Sequence, residues 1–85
     1  MNKYTVRLDD AEIIKYKLQK QKKSIEVETI TDYIAAEYFI RSLIKKLPKI
    51  TNSISEIKVH VKNHTTNIET TFMVKFWIEI YATMH

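Results

Sequence analysis

The sequence predicts an α+β domain: an N-terminal strand, two helices and a C-terminal antiparallel β-hairpin. Three observations carry the prediction. Residues 3–8, KYTVRL, alternate strictly between apolar and polar. Thr31 to Leu47, TDYIAAEYFIRSLIKKL, repeats apolar residues at helical spacing. After Pro48 the alternation returns in two runs, Ile57, Val59 and Val61, then Phe72, Val74, Phe76, Ile78 and Ile80. A period of two marks a half-buried strand and a period near 3.6 an amphipathic helix.

In the first strand Tyr4, Val6 and Leu8 point one way and Lys3, Thr5 and Arg7 the other. Asp9 and Asp10 then offer an N-cap, with Asp10 and Glu12 suited to a first helical turn. Ala11, Ile14 and Leu18 continue at helical spacing, so the first helix is expected over residues 10–22. Its second half is rich in Lys and Gln, cations that suit a helix C-terminus and equally a solvated face. Residues 24–30, SIEVETI, fit either an extra strand or an extended loop between helices.

The second helix is expected over residues 31–47, capped by Thr29 or Thr31, with Asp32 in its first turn. Pro48 ends it, because the residue before a proline is driven out of the α region. Tyr33, Ala36, Ile40, Leu43, Ile44 and Leu47 form one stripe, and Ile34, Ala35, Tyr38 and Phe39 widen it. A helix apolar over so much of its circumference demands cover on more than one side, from a sheet and another helix or from a second subunit. The hairpin strands are expected over residues 54–62 and 68–82, joined through His64 to Asn67.

Eighty-five residues make a single domain, 1–85. A chain of this size buries only about 60% of its unfolded surface, and a partner copy would add burial. Absence of Cys removes disulfides, thiolate metal sites and a Cys nucleophile, and fits a reducing compartment. Absence of Gly removes the usual glycine-rich phosphate loops, dinucleotide fingerprints and glycine helix caps. The first residues lack an apolar signal core, and Glu37 and Arg41 interrupt the most apolar run, so a cytoplasmic protein without a membrane span is expected. The Asn63-His64-Thr65 sequon is then chance.

The net charge is +4, and all of that excess lies in residues 1–24, which carry seven cations against three acids. Such a bias suits nucleic acid or an acidic protein partner, although a lysine-rich solvated face produces it as well.

The N-terminal half resembles the ribbon-helix-helix family of DNA-binding proteins. The residues that carry the resemblance are Lys3-Tyr4-Thr5-Val6-Arg7-Leu8-Asp9-Asp10, the helix that follows, and Thr29-Ile30-Thr31-Asp32-Tyr33-Ile34. The resemblance implies that strands of two chains pair into a ribbon whose outward side chains enter the major groove, here Lys3, Thr5 and Arg7. Arg and Lys can bond guanine O6 and N7, and Thr can meet a polar edge or the thymine methyl. It also implies a phosphate held by the backbone at Thr31 and Asp32. Lys17 and Lys20 become candidate phosphate contacts.

Other constellations are weaker. His60, His64 and His85 have no Asp or Cys at ligand spacing, so no metal and no cofactor is expected. Glu26 and Glu28 share a face and read as solvated rather than as an acid and base pair, and no enzyme is expected. Lys75, Trp77 and Tyr81 line the outward face of the last strand, where they would stack bases or anchor a protein, unless the first helix covers them. The expected function is therefore a homodimeric DNA-binding regulator or accessory factor acting on double-stranded DNA. The alternative is a phage or mobile-element protein that binds and inhibits a host protein through an exposed sheet or helix face.

Overall fold

The chain forms one antiparallel sheet with a helix laid on one face. A computed structural model describes residues 1–46, 55–76 and 80–84. In chain order the elements are β1 (Asn2–Leu8), α1 (Asp10–Lys15), β2 (Ser24–Thr29), α2 (Asp32–Lys46), β3 (Ser55–Asn63), β4 (Glu69–Phe76) and β5 (Ile80–Met84). The strands lie in the order β2-β1-β3-β4-β5, with every neighbouring pair antiparallel.

Alternation sorts the two faces. Tyr4, Val6 and Leu8 of β1, Ile57, Val59 and Val61 of β3, and Phe72 and Val74 of β4 are buried on one face. There α2 covers them with Ala35, Ala36, Phe39, Ile40 and Leu43. The small Ala35 and Ala36, both at 0% exposure, let the helix backbone approach the sheet closely. Each buried Leu, Ile, Val or Phe side chain contributes about 1.5–3 kcal/mol of transfer free energy, so this two-layer core dominates stability. The opposite face carries Lys3, Thr5, Arg7, Lys58, His60, Lys62, Glu69, Thr71 and Lys75 and is not covered by α2.

The helix expected over 10–22 ends at Lys15, and its termination has a clear cause. Tyr16 is the C-cap and Lys17 takes the left-handed conformation at φ 57°. Lys17 N–H donates to Ile14 O at 3.3 Å and Leu18 N–H to Ile13 O at 2.9 Å, the paired bonds of a Schellman cap. The reversal turns Leu18 into the core at 1% exposure. Ile13, Tyr16 and Leu18 therefore face inward, while Ile14, expected on the buried stripe, is 71% exposed. A lysine supplies the cap for which glycine is the usual choice.

Residues 24–29 form the extra strand, not a loop, because β1 offers it a pairing edge. The second hairpin arm, expected as one strand over 68–82, is two strands, β4 and β5, paired antiparallel with Phe76 opposite Ile80. Between β3 and β4, Asn63 holds the turn: its Oδ1 accepts from Thr65 N–H at 2.8 Å, and Asn67 adopts φ 61°, which asparagine tolerates.

Of the two kinds of cover expected for α2, a sheet with another helix or a second subunit, the chain itself supplies only the sheet among the described residues. Within the single chain Tyr33, Ile34 and Tyr38 remain 47%, 36% and 58% exposed. One sheet face can receive only one side of a helix. The helix stop at Pro48, the turn through residue 53, Trp77, Ile78 and His85 lie outside the described residues.

Candidate functional site

Lys3, Thr5 and Arg7 do share a face, but each has a partner there. Lys3 Nζ lies 3.3 Å from Glu26 Oε2 on β2, and Arg7 Nη2 lies 3.3 Å from Glu69 Oε1 on β4. Thr5 Oγ1 shares a hydrogen bond of 2.6 Å with His64 Nε2. More consequential is the position of β1, which pairs with β2 along one edge and β3 along the other. No edge is left to pair with β1 of a second chain, so the two-chain ribbon implied by the family resemblance does not form from this strand. The long segment before residue 31 folds back as β2 and occupies the place such a partner strand would take.

Thr31 and Asp32 are used by their own helix. Thr31 Oγ1 accepts from Ile34 N–H at 3.4 Å and Asp32 Oδ1 from Tyr33 N–H at 2.8 Å. These bonds occupy the amides of Tyr33 and Ile34 rather than those of Thr31 and Asp32, and the Asp32 carboxylate opposes an incoming phosphate. Lys17 and Lys20 are exposed in the loop between α1 and β2. Lys75 sits on the open face opposite Glu56, and Tyr81 occupies the register position opposite Lys75.

A polar cluster missed by the sequence reading crosses this open face. His60 Nε2 lies 2.7 Å from Asp9 Oδ1, and His60 Nδ1 lies 2.8 Å from Thr71 Oγ1. The hydrogen bond to His60, reinforced by the Ala11 amide, holds the Asp9 carboxyl below its ordinary value of 3.8. Asp9 thus does two jobs: Oδ2 caps α1 through Ala11 N–H at 3.2 Å, and Oδ1 ties that cap to β3. Nothing in the spacing of residues 9, 60 and 71 announces the cluster, since only the sheet register joins them.

A second arrangement lies where α2 overhangs the outer edge of β2. Because β2 is terminal in the sheet, one of its edges has no strand beside it among the described residues. Leu8 N–H donates to Lys23 O at 2.9 Å, which sets the phase of the β1–β2 ladder. Antiparallel alternation then directs the amides and carbonyls of Ile25 and Val27 toward β1, and those of Ser24, Glu26 and Glu28 outward. A depression of about 280 Å³ runs along this edge, lined by Glu26, Val27, Glu28, Thr29, Ile34 and Tyr38. Another of about 280 Å³ continues along α2 past Tyr38, Arg41, Ser42 and Lys45. The sequence showed the alternation of Glu26 and Glu28 with Ile25 and Val27, but not that this strand would be an edge.

Among the described residues no group of three His, Cys, Asp or Glu side chains could hold a metal ion, and no helix is long and apolar enough to cross a membrane. No family model, curated protein or solved structure matches the chain.

Proposed function

We propose that the chain is a protein-binding module that engages its partner on the side where α2 overhangs the free edge of β2. One observation carries this reading: Ile34 and Tyr38 stand exposed beside a strand edge whose outward backbone groups have no strand partner among the described residues. Apolar side chains next to unpaired strand backbone form the kind of surface that natural proteins either cover or use for recognition. It is tested by placing a photo-crosslinking residue at position 38 and, as a control, at position 62 on the open face. Position 38 should yield a discrete protein adduct that position 62 does not. The adduct's protein, once purified, should bind the wild type and lose about tenfold or more in affinity for Tyr38→Asp, the loss typical of an aromatic anchor. Equal labelling from both positions would reject the site.

DNA binding is the second reading, and a different observation favours it. Lys15, Lys17, Lys20, Lys22 and Lys23 are concentrated before β2, and Lys22 and Arg41 line neighbouring depressions that share Ser42. On this reading phosphates are bound by the loop and by α2 rather than by β1, with affinity that falls steeply as salt rises.

A further inference from the structure

We infer that the free edge of β2 accepts an extended segment in which Lys or Arg alternates with apolar residues, added as a sixth strand of the sheet. This rests on the protein-binding reading above and names the partner's chemistry.

The backbone defines the mode. Ser24, Glu26 and Glu28 present outward amides and carbonyls at the spacing of an antiparallel or parallel ladder, which an extended chain satisfies without any particular side chain. Side chains then define the sequence pattern. Residues of an incoming strand point alternately to the two faces of the sheet. Those on the helix side meet Ile34, Tyr38 and the half-buried Val27, so they must be apolar. Those on the open side come beside Glu26 and Glu28, so they must be cationic. Residues 24–32 contain Glu26, Glu28 and Asp32 and no cation. Glu26 shares its charge with Lys3 at 3.3 Å, whereas the carboxylate of Glu28 has no partner among the described residues. The edge is therefore apolar above and acidic below, and its complement is an amphipathic strand of period two.

The same charges disfavour a second copy of this chain. With both open faces on the same side, the registers that overlap β2 fully with another β2 set Glu26 against Glu26 or Glu28. Like charges directly opposite one another on a sheet are destabilising. An acidic edge strand thus blocks self-pairing and leaves the edge available to a basic segment.

The test uses the full chain and synthetic peptides. A peptide alternating Val and Lys is compared with one alternating Val and Glu, with a scrambled Val and Lys peptide, and with a version N-methylated on alternate residues of its ladder edge. The alternating Lys peptide should bind and slow hydrogen exchange at the amides of Glu26 and Glu28. N-methylation and scrambling should each abolish that protection. Glu26→Lys with Glu28→Lys should reverse the preference toward the Glu peptide, with about tenfold change for two reversed cross-strand pairs. Both substitutions lie on exposed positions and leave the core intact. Binding that ignores alternation, charge or N-methylation would overturn the strand mode while leaving intact a partner crosslinked at position 38. Concentration-dependent protection of the same two amides without peptide would make a second copy the occupant and would also overturn it. Absence of a protein adduct at position 38 is the separate failure of the reading on which this one rests.

Discussion

His60 Nε2 sits 2.7 Å from Asp9 Oδ1, so the residue that caps α1 is bonded to the middle of the sheet. The hydrogen bond stabilises the ionised carboxylate and lowers the Asp9 pKa in the folded state. A depressed carboxyl contributes stability that is fully present above its unfolded value and is lost as pH falls through the folded one. Asp9→Ala should therefore be less stable than wild type at about pH 5, by about 1 kcal/mol for the cap alone, and the gap should narrow at about pH 2. Urea melts at the two pH values measure this, and a gap that widened in acid would contradict the assignment.

Lys17 occupies a left-handed position that costs a non-glycine residue about 1–2 kcal/mol. Lys17→Gly should raise stability by about 0.5–1 kcal/mol once the extra chain entropy of glycine is deducted. Leu18→Ala, beside it, should lose about 2–5 kcal/mol, because a side chain at 1% exposure leaves a cavity. Thermal or denaturant unfolding of the two variants gives opposite signs if the cap is as described.

Adjacent residues on α2 should respond in opposite ways to the same substitution. Phe39, at 3% exposure, packs in the core, and Phe39→Asp should unfold the chain. Tyr38, at 58% exposure, should accept Asp with a change of only about 0.5 kcal/mol while losing partner binding. Circular dichroism melts for both variants, run beside the crosslinking assay, separate packing from recognition.

Arg7→Ala tests what remains of a DNA role for β1. Its pairing with Glu69 is solvent-exposed, so the fold should lose no more than about 0.2–1 kcal/mol. On the loop-centred DNA reading, duplex affinity should be nearly unchanged in Arg7→Ala and reduced evenly across sequences in Lys20→Ala. Titration of labelled duplex at two salt concentrations decides it. A sequence-specific loss in Arg7→Ala would restore a direct base contact.

Local patterns in the chain carried much of the fold because they record which side chains need cover. Tyr4, Val6 and Leu8 fixed β1, Ile57, Val59 and Val61 fixed β3, and Thr31 to Lys46 announced α2. What failed were features decided by neighbours far away in sequence. Lys17 looked like a mid-helix residue until burial of Leu18 forced the reversal. Glu26 and Glu28 looked like a solvated face, and only the sheet order makes them the rim of an open edge. Lys3, Thr5 and Arg7 shared a face as read, yet the pairing of β1 on both sides removes the ribbon that would have given that face its meaning. Side-chain chemistry and the β3–β4 hairpin were legible; the pairing of β1 with both β2 and β3 was not.

The central place of β1 also sets a timetable for folding. As the chain is synthesised from its N-terminus, β1, β2 and α2 are complete before β3 exists, and one side of β1 waits bare for the strand that supplies Val59 and Val61. Closing that gap joins Lys3 to His64 and Asp9 to Lys58, contacts separated by about half the chain or more. Non-local pairing of this kind slows folding and prolongs the life of an intermediate with an apolar strand edge unprotected. A nascent chain halted just after α2 should thus be held by chaperones, and its release should coincide with the emergence of residues 55–63 from the ribosome.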